Sequence, residues 1–180
     1  IRDYLFRVIY GNWAYQKKHH ASYRAYEIEW MGYVLGKRES RRLMGDVIVT
    51  ERDVLANRRF PDACVPTFWG IDLHGPHPKY TKHYPGEEFV AAASHANRGK
   101  QPFVVPYRCL YSRNVDNLFM AGRCISVTHV ALGQVRVMRN TGTMGEVVGL
   151  AAAVCKHRSC TPRDVYHKHW TDLTTRFEAP

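Results

Sequence analysis

The chain has 180 residues, 45% of them hydrophobic and 23% charged, with a net charge of +10. That size and balance suit one ordinary globular domain and exclude a disordered, low-complexity or repeat protein. The longest apolar run, Val147 to Cys155, is too short to cross a bilayer and is broken by Gly149, so no membrane partner is expected.

Ile1, Leu5, Val8, Ile9 and Trp13 recur at helical spacing and predict a helix over residues 1 to about 18. A chain that opens inside an amphipathic helix reads as a piece of something longer. Tyr26, Ile28 and Trp30 alternate with Glu27 and Glu29, which predicts a half-buried strand. A dense basic turn, GKRESRR, covers Gly36 to Arg42, and Val47 to Val49 is a short strand. Thr50 caps a helix starting at Glu51, with Asp53 placed for a capping box. Residues 63–73 read as one strand, and Pro66 assigns it to a sheet edge. The stretch Gly75 to Gln101, rich in proline, glycine and histidine, reads as loop with a short helix over Glu87 to His95. Phe103 to Val105 and Leu118 to Ala121 are short strands, the second closed by Gly122. A long helix runs from Arg139 or Asn140 to Lys156, and Thr161-Pro162 opens a last helix over residues 162–176. The pattern is α+β.

The basic residues are scattered in pairs, Lys17-Lys18, Arg41-Arg42 and Arg58-Arg59, with no basic tail and no nucleic-acid motif. Nucleic acid is therefore not an expected partner, and a basic nucleic-acid-binding domain ranks last among the readings. The five cysteines form no CxxC pair, which suits reduced, buried thiols and favours a reducing compartment such as the cytoplasm. Asp72, His74, His77 and His83 match no zinc spacing, nor does the C-x-H-x2-C of Cys155, His157 and Cys160, so no metal is expected.

Gly142, Gly145 and Gly149 share one face of the long helix, continued by Ala152. Each interior glycine costs about 1 kcal/mol relative to alanine. Such a face lets another backbone or a flat ligand come close. Tight packing on a sheet is one reading. A cofactor near the helix N-terminus is the other, favoured by Arg136 and Arg139 and by the lack of any acid before Glu146. A positive helix end stabilises negative charge on the N1/C2=O edge of a reduced flavin.

The stretch NLFMAGRCISVTHVALGQVRVMRNTGTMGEVVGLAAA, Asn117 to Ala153, resembles the C-terminal flavin-binding segment of FAD-dependent oxidoreductases with a glutathione-reductase-like FAD fold. More narrowly, it resembles a bacterial family known generically as FAD-dependent oxidoreductases. GKRESRRLMGD, FPDACVPTFWGIDLH, VPYRCLYSRNVDNL and TPRDVY carry the same resemblance, so it spans nearly the whole chain. The resemblance implies FAD as cofactor. It implies that residues 1–110 form part of a substrate or cap domain. Residues 111–180 would then be the C-terminal strand and helix of a Rossmann-like FAD domain, followed by the final helix.

At matched positions it implies that Ala121, Gly122, Arg123 and Ser126 run beside the ribityl and pyrophosphate. Gly133, Arg136, Val137, Met138, Asn140, Thr141, Gly142 and Gly145 would surround the isoalloxazine, several through their backbones. Relatives of the wider class often carry an acid where Arg123 stands, and the family commonly has proline where Arg139 stands. The chain contains no GxG, hence no GxGxxG turn for a pyrophosphate. The expected partner is therefore an N-terminal FAD-binding half, from the same gene or a separate chain, and oligomers are possible. Five residues are candidates for chemistry. Arg38 and Arg41 either clamp a substrate or belong to a surface charge cluster. His129 either accepts a proton near the flavin or is held in a loop. Tyr107 and Arg108 either line the active site or are a buried tyrosine and a surface arginine. The expected function is the C-terminal part of an FAD-dependent oxidoreductase, transferring hydride between flavin and a small organic substrate. The alternative is a non-catalytic relative acting as a structural or partner subunit.

Overall fold

The structure, a computed structural model, describes residues 2–34, 36, 38–39, 41–76, 91–96 and 102–177. The chain divides into two compact units, Ile1–Arg38 and Glu39–Pro180. The functional boundary expected near residue 110 falls inside the second unit.

In the first unit, helix α1 spans Arg2–His19, with Asp3 in its first turn and Lys17, Lys18 and His19 in its last, charges that complement the helix dipole. None of its residues is buried. A 3-10 turn, Ala21–Tyr23, follows, and Trp13 meets Tyr23 edge-on at 6.0 Å. The strand expected at Tyr26 to Trp30 does not form. Alternation alone cannot make a strand without a partner for its backbone groups, and Trp30 is 81% exposed.

The second unit is α+β. Thr50 caps α2 (Glu51–Leu55) through the expected capping box, Asp53 N–H donating to Thr50 Oγ1 and Thr50 N–H to Asp53 Oδ2. The single strand expected over 63–73 is two. β1 (Ala63–Thr67) pairs antiparallel with β4 (Phe103–Pro106), while β2 (Ile71–Pro76) pairs antiparallel with β3 (Ala91–Ala96). Among the described residues each sheet has two strands, so Pro66 sits in an edge strand as proline requires. The helix expected over Glu87 to His95 is overturned where it is described: Ala91–Ala96 lies in the ladder of β2, His95 opposite Asp72. Residues 87–90 lie outside the described residues. The short strands expected at 47–49 and 118–121 reduce to single bridges, Val49 to Val127 and Tyr111 to Phe119.

Four helices close the chain. α3 (His129–Val135) was not foreseen, and it buries every residue from Ala131 to Val135. α4 (Met138–Arg158) starts a residue or two earlier than expected and buries Asn140, Met144, Val147, Ala151 and Val154, one stripe at steps of three and four. The expected last helix is broken at His169 into α5 (Pro162–Lys168) and α6 (Trp170–Phe177). Thr161 and Asp164 form a second capping box, with Pro162 in the first helical turn. β1, β4, α4, α5 and α6 share one core around Val65, Phe103, Leu110, Met144, Val165 and Leu173. Among the described residues no helix is long and apolar enough to cross a membrane.

Candidate functional site

Residues 133 to 145 build the α4 N-terminus. Val137 takes an extended conformation before the helix, and no side chain caps the first turn. That turn carries no acid, so its free N–H groups and the helix dipole leave a positive end. Asn140 is buried, and its Nδ2 donates to Gln134 O at 3.1 Å. Gln134 is buried too, its Nε2 donating to Thr67 Oγ1 at 2.9 Å, and Thr67 passes a hydrogen bond to Phe103 O. This relay fixes the α3–α4 corner on the β1–β4 ribbon. Gln134 Oε1 and Ser126 Oγ are buried and have no hydrogen-bond partner among the described residues.

The corner presents apolar surface outward. Met138 is 90% exposed, Phe68 and Trp69 are exposed, and the Arg139 guanidinium lies 6.0 Å from the Phe68 ring centre. A Cβ added at Gly142, Gly145 or Gly149 would meet nothing within 4 Å. Among the described residues nothing covers the glycine face, so tight packing of this face on either described sheet is overturned. Gly133 differs: a Cβ there would meet Asp72 O at 2.9 Å, so its glycine lets α3 lie against β2. Arg136 reinforces that contact, donating to Asp72 O at 2.9 Å. Gly122 has φ +80, a backbone conformation that glycine adopts freely, and its 3-10 turn with Arg123 and Cys124 follows Ala121.

His129 stands at the other end of α3, about 10 Å of helix away. Its Nδ1 is 2.7 Å from Glu39 Oε1, and the same oxygen takes Arg42. Partial burial pushes the Glu39 carboxyl up, but hydrogen bonds and charges from His129 and Arg42 outweigh it and hold the group below its ordinary value. The basic turn is anchored beside this pair by Leu43 N–H donating to Cys124 O at 2.9 Å. Arg41 is exposed, with no hydrogen bond or ion pair among the described residues. Arg38 is exposed and ends the first unit.

Tyr107 and Arg108 lie elsewhere, Tyr107 buried in the core and Arg108 half-buried beside it. The Tyr107 hydroxyl donates to Pro162 O at 2.9 Å, and burial pushes its pKa up. Arg108 makes a two-pronged contact with the fully buried Asp62, Nε to Oδ2 at 2.9 Å and NH2 to Oδ1 at 2.8 Å, and lies over the Tyr166 ring. A second fork joins Arg163 to Asp46 at 2.8 Å, with the Tyr111 hydroxyl on the same carboxylate. The sequence reading missed Glu39 as a partner of His129, the two forked aspartates and Gln134. Glu39 alone carried a local signal, as the acid inside a basic turn. A groove of about 620 Å³ runs between the middle of α4 and the end of α6, lined by Cys64, Thr143, Glu146, Leu150, Arg176 and Phe177. Gly149 also lines it, and neither the α4 first turn, Met138 to Asn140, nor His129 does. Among the described residues no group of three or more histidines, cysteines or acids is placed to hold a metal; His77 and His83 lie outside them.

The second unit thus combines an uncapped, acid-free helix end with a glycine face on the same helix. The model of the FAD dependent oxidoreductase family matches residues 2–175, and the chain belongs to that family. The comparison with curated proteins returned no match, and neither did the comparison with solved structures.

The family implies FAD. The residues present fit one end of it. The α4 first turn offers uncommitted N–H donors, the open glycines leave room for a ring, and the exposed Met138 and Phe68 offer apolar contact.

Proposed function

We propose that this chain supplies the isoalloxazine-facing corner of an FAD site and part of the substrate region of an oxidoreductase. The reaction is hydride transfer between flavin and a small organic substrate. The open N-terminus of α4 carries this reading. FAD, when bound there, supplies the two-electron acceptor or donor. The N–H groups of Met138, Arg139 and Asn140 would hold the electron-rich edge of the ring system, and Gly142 and Gly145 would let it approach. Because the sequence contains no GxG, the pyrophosphate belongs to a segment carrying a GxGxxG turn, in the same gene or on a separate chain.

His129 is the candidate proton acceptor. Oxidising an alcohol or amine by hydride loss also releases a proton, and an exposed imidazole can take it. Glu39 on Nδ1 would position the ring and leave Nε2 for substrate. Arg41 has charge to offer a carboxylate or carbonyl of the substrate, and Arg38 stays a candidate on its sequence position alone. Tyr107 and Arg108 are left out of the chemistry, since Pro162 and Asp62 already occupy their polar groups. The test uses the FAD-loaded enzyme, mixed without oxygen with a panel of small alcohols, amines and hydroxy acids. Bleaching of the visible flavin band by at least one, slowed in His129→Ala and Arg41→Ala with flavin still bound, supports the assignment. Retained flavin with no bleaching by any of them supports a non-catalytic subunit instead.

A further inference from the structure

All five cysteines are free. Three have thiols engaged by backbone carbonyls: Cys64 with Val105 O, Cys109 with Val47 O and Cys124 with Ala121 O. The other two, Cys155 and Cys160, flank the end of α4. Ser159 there lies in the left-handed region at φ 49, ψ 49, its N–H donating to Cys155 O. The Cys160 N–H also donates to Cys155 O, at 3.1 Å. A helix end closed this way folds the second residue beyond the helix back onto the third residue before its end, where an apolar pair commonly meets. Both positions are cysteine here. Both are half-buried against the core, which leaves part of each open to solvent. Burial pushes the Cys155 thiol up, and the charge and hydrogen bond of Cys160 push it further, to about 12. The closed helix end directs the two side chains toward one another.

We propose that Cys155 and Cys160 form a dithiol site that takes small disulfides and closes to an intramolecular disulfide. One cysteine loses its proton to water, and its sulfur attacks one sulfur of the incoming disulfide. The old S–S bond breaks, one small thiolate leaves and is protonated, and a mixed disulfide remains. The second cysteine, likewise deprotonated, attacks the protein sulfur of that mixed disulfide and expels the second small thiol. Two electrons pass from the cysteine pair to the small disulfide, which becomes two thiols. The helix end pre-places the second attack, so the mixed disulfide does not accumulate. The product staples the end of α4 to the residue before the Thr161 cap.

The test treats the folded, purified protein with oxidised glutathione, blocks remaining thiols by alkylation and digests with trypsin without reduction. Trypsin cuts after Arg139, Lys156, Arg158 and Arg163, so the two cysteines fall in separate peptides, residues 140–156 and 159–163. The expected product is these peptides joined, two hydrogens lighter than their sum, and separated by dithiothreitol. Cys160 makes the first attack, since burial holds the Cys155 thiol protonated, so Cys155→Ser should instead trap glutathione on Cys160. Ser159→Gly, which keeps the left-handed turn, should retain the link. Stable glutathione adducts on both cysteines, linkage of Cys155 to Cys64, Cys109 or Cys124, or no reaction would overturn the proposal.

Discussion

The open glycine face makes a prediction whose sign is decided by what covers α4. Gly142 and Gly145 lie inside a 21-residue helix, and a Cβ at either meets nothing within 4 Å. Alanine there removes backbone freedom from the unfolded chain and meets no steric obstacle in the folded one. Each substitution should stabilise the flavin-free protein by about 0.4–1 kcal/mol. The pair should contribute about 1–2 kcal/mol, which raises the melting temperature of a chain this size by roughly 2–8 °C. Urea titration of the purified chain gives the energies, and calorimetry gives the temperature shift. In the FAD-loaded enzyme the same methyl group at Gly142 would stand where the ring approaches, so Gly142→Ala should weaken flavin retention while the apoprotein melts higher. Destabilised apoprotein would mean that the face is already covered by protein. A stabilised variant that retains flavin as well as wild type would mean that the face is no ligand seat.

At Gly45 the opposite sign is expected: an added Cβ collides with Arg108 O and comes within 3.1 Å of Tyr111 O, both backbone atoms. Gly45→Ala should cost about 1–3 kcal/mol in urea unfolding, and a neutral result would refute the close approach. Asp62→Ala strips the partner from Arg108 at a fully buried carboxylate and should cost about 3 kcal/mol by the same measurement. Adding Arg108→Met should recover part of that loss, and a double variant no better than the single would contradict the fork as the cause. The Arg163 hydrogen bonds, opposed by partial burial, hold Asp46 below its ordinary pKa of 3.8. Its contribution to stability is therefore complete above that value and is lost as pH falls through the lowered one. Asp46→Asn should make the acid limb of the stability curve shallower below pH about 4, and an unchanged limb would count against the link.

Local signals were legible. Thr50 with Asp53 and Thr161 with Asp164 are side chain–backbone pairs three residues apart, so the sequence alone fixed two helix starts. The burial stripe of α4 repeats at steps of three and four, and its period could be read without knowing the partner. What failed depended on distant groups. The break between β1 and β2 arises because each strand pairs with a different later segment. Ala91–Ala96 is made strand by its ladder with β2, against the helical preference of its alanines. α3 is seven residues long, and its Gly133 makes sense only against Asp72. Among the charged pairs, Glu39 and His129 are 90 residues apart, Asp62 and Arg108 are 46 apart, and Asp46 and Arg163 are 117 apart. No spacing rule pairs charges over such separations. The family resemblance alone places Tyr107 and Arg108 near an active site, and the acceptors that occupy them, Pro162 O and Asp62, are invisible in a local motif.

The proposed function requires a joint FAD site, with the α4 corner at one end and a GxGxxG segment at the other. Its most direct measurement is the visible spectrum after gel filtration with FAD, recorded for this chain alone and for this chain joined to such a segment. The chain alone should retain no flavin and the joined form should be a stoichiometric yellow protein, with the yellow colour reduced by Gly142→Val. A stoichiometric flavin band on the chain alone, or undiminished retention by Gly142→Val in the joined form, would contradict the joint site.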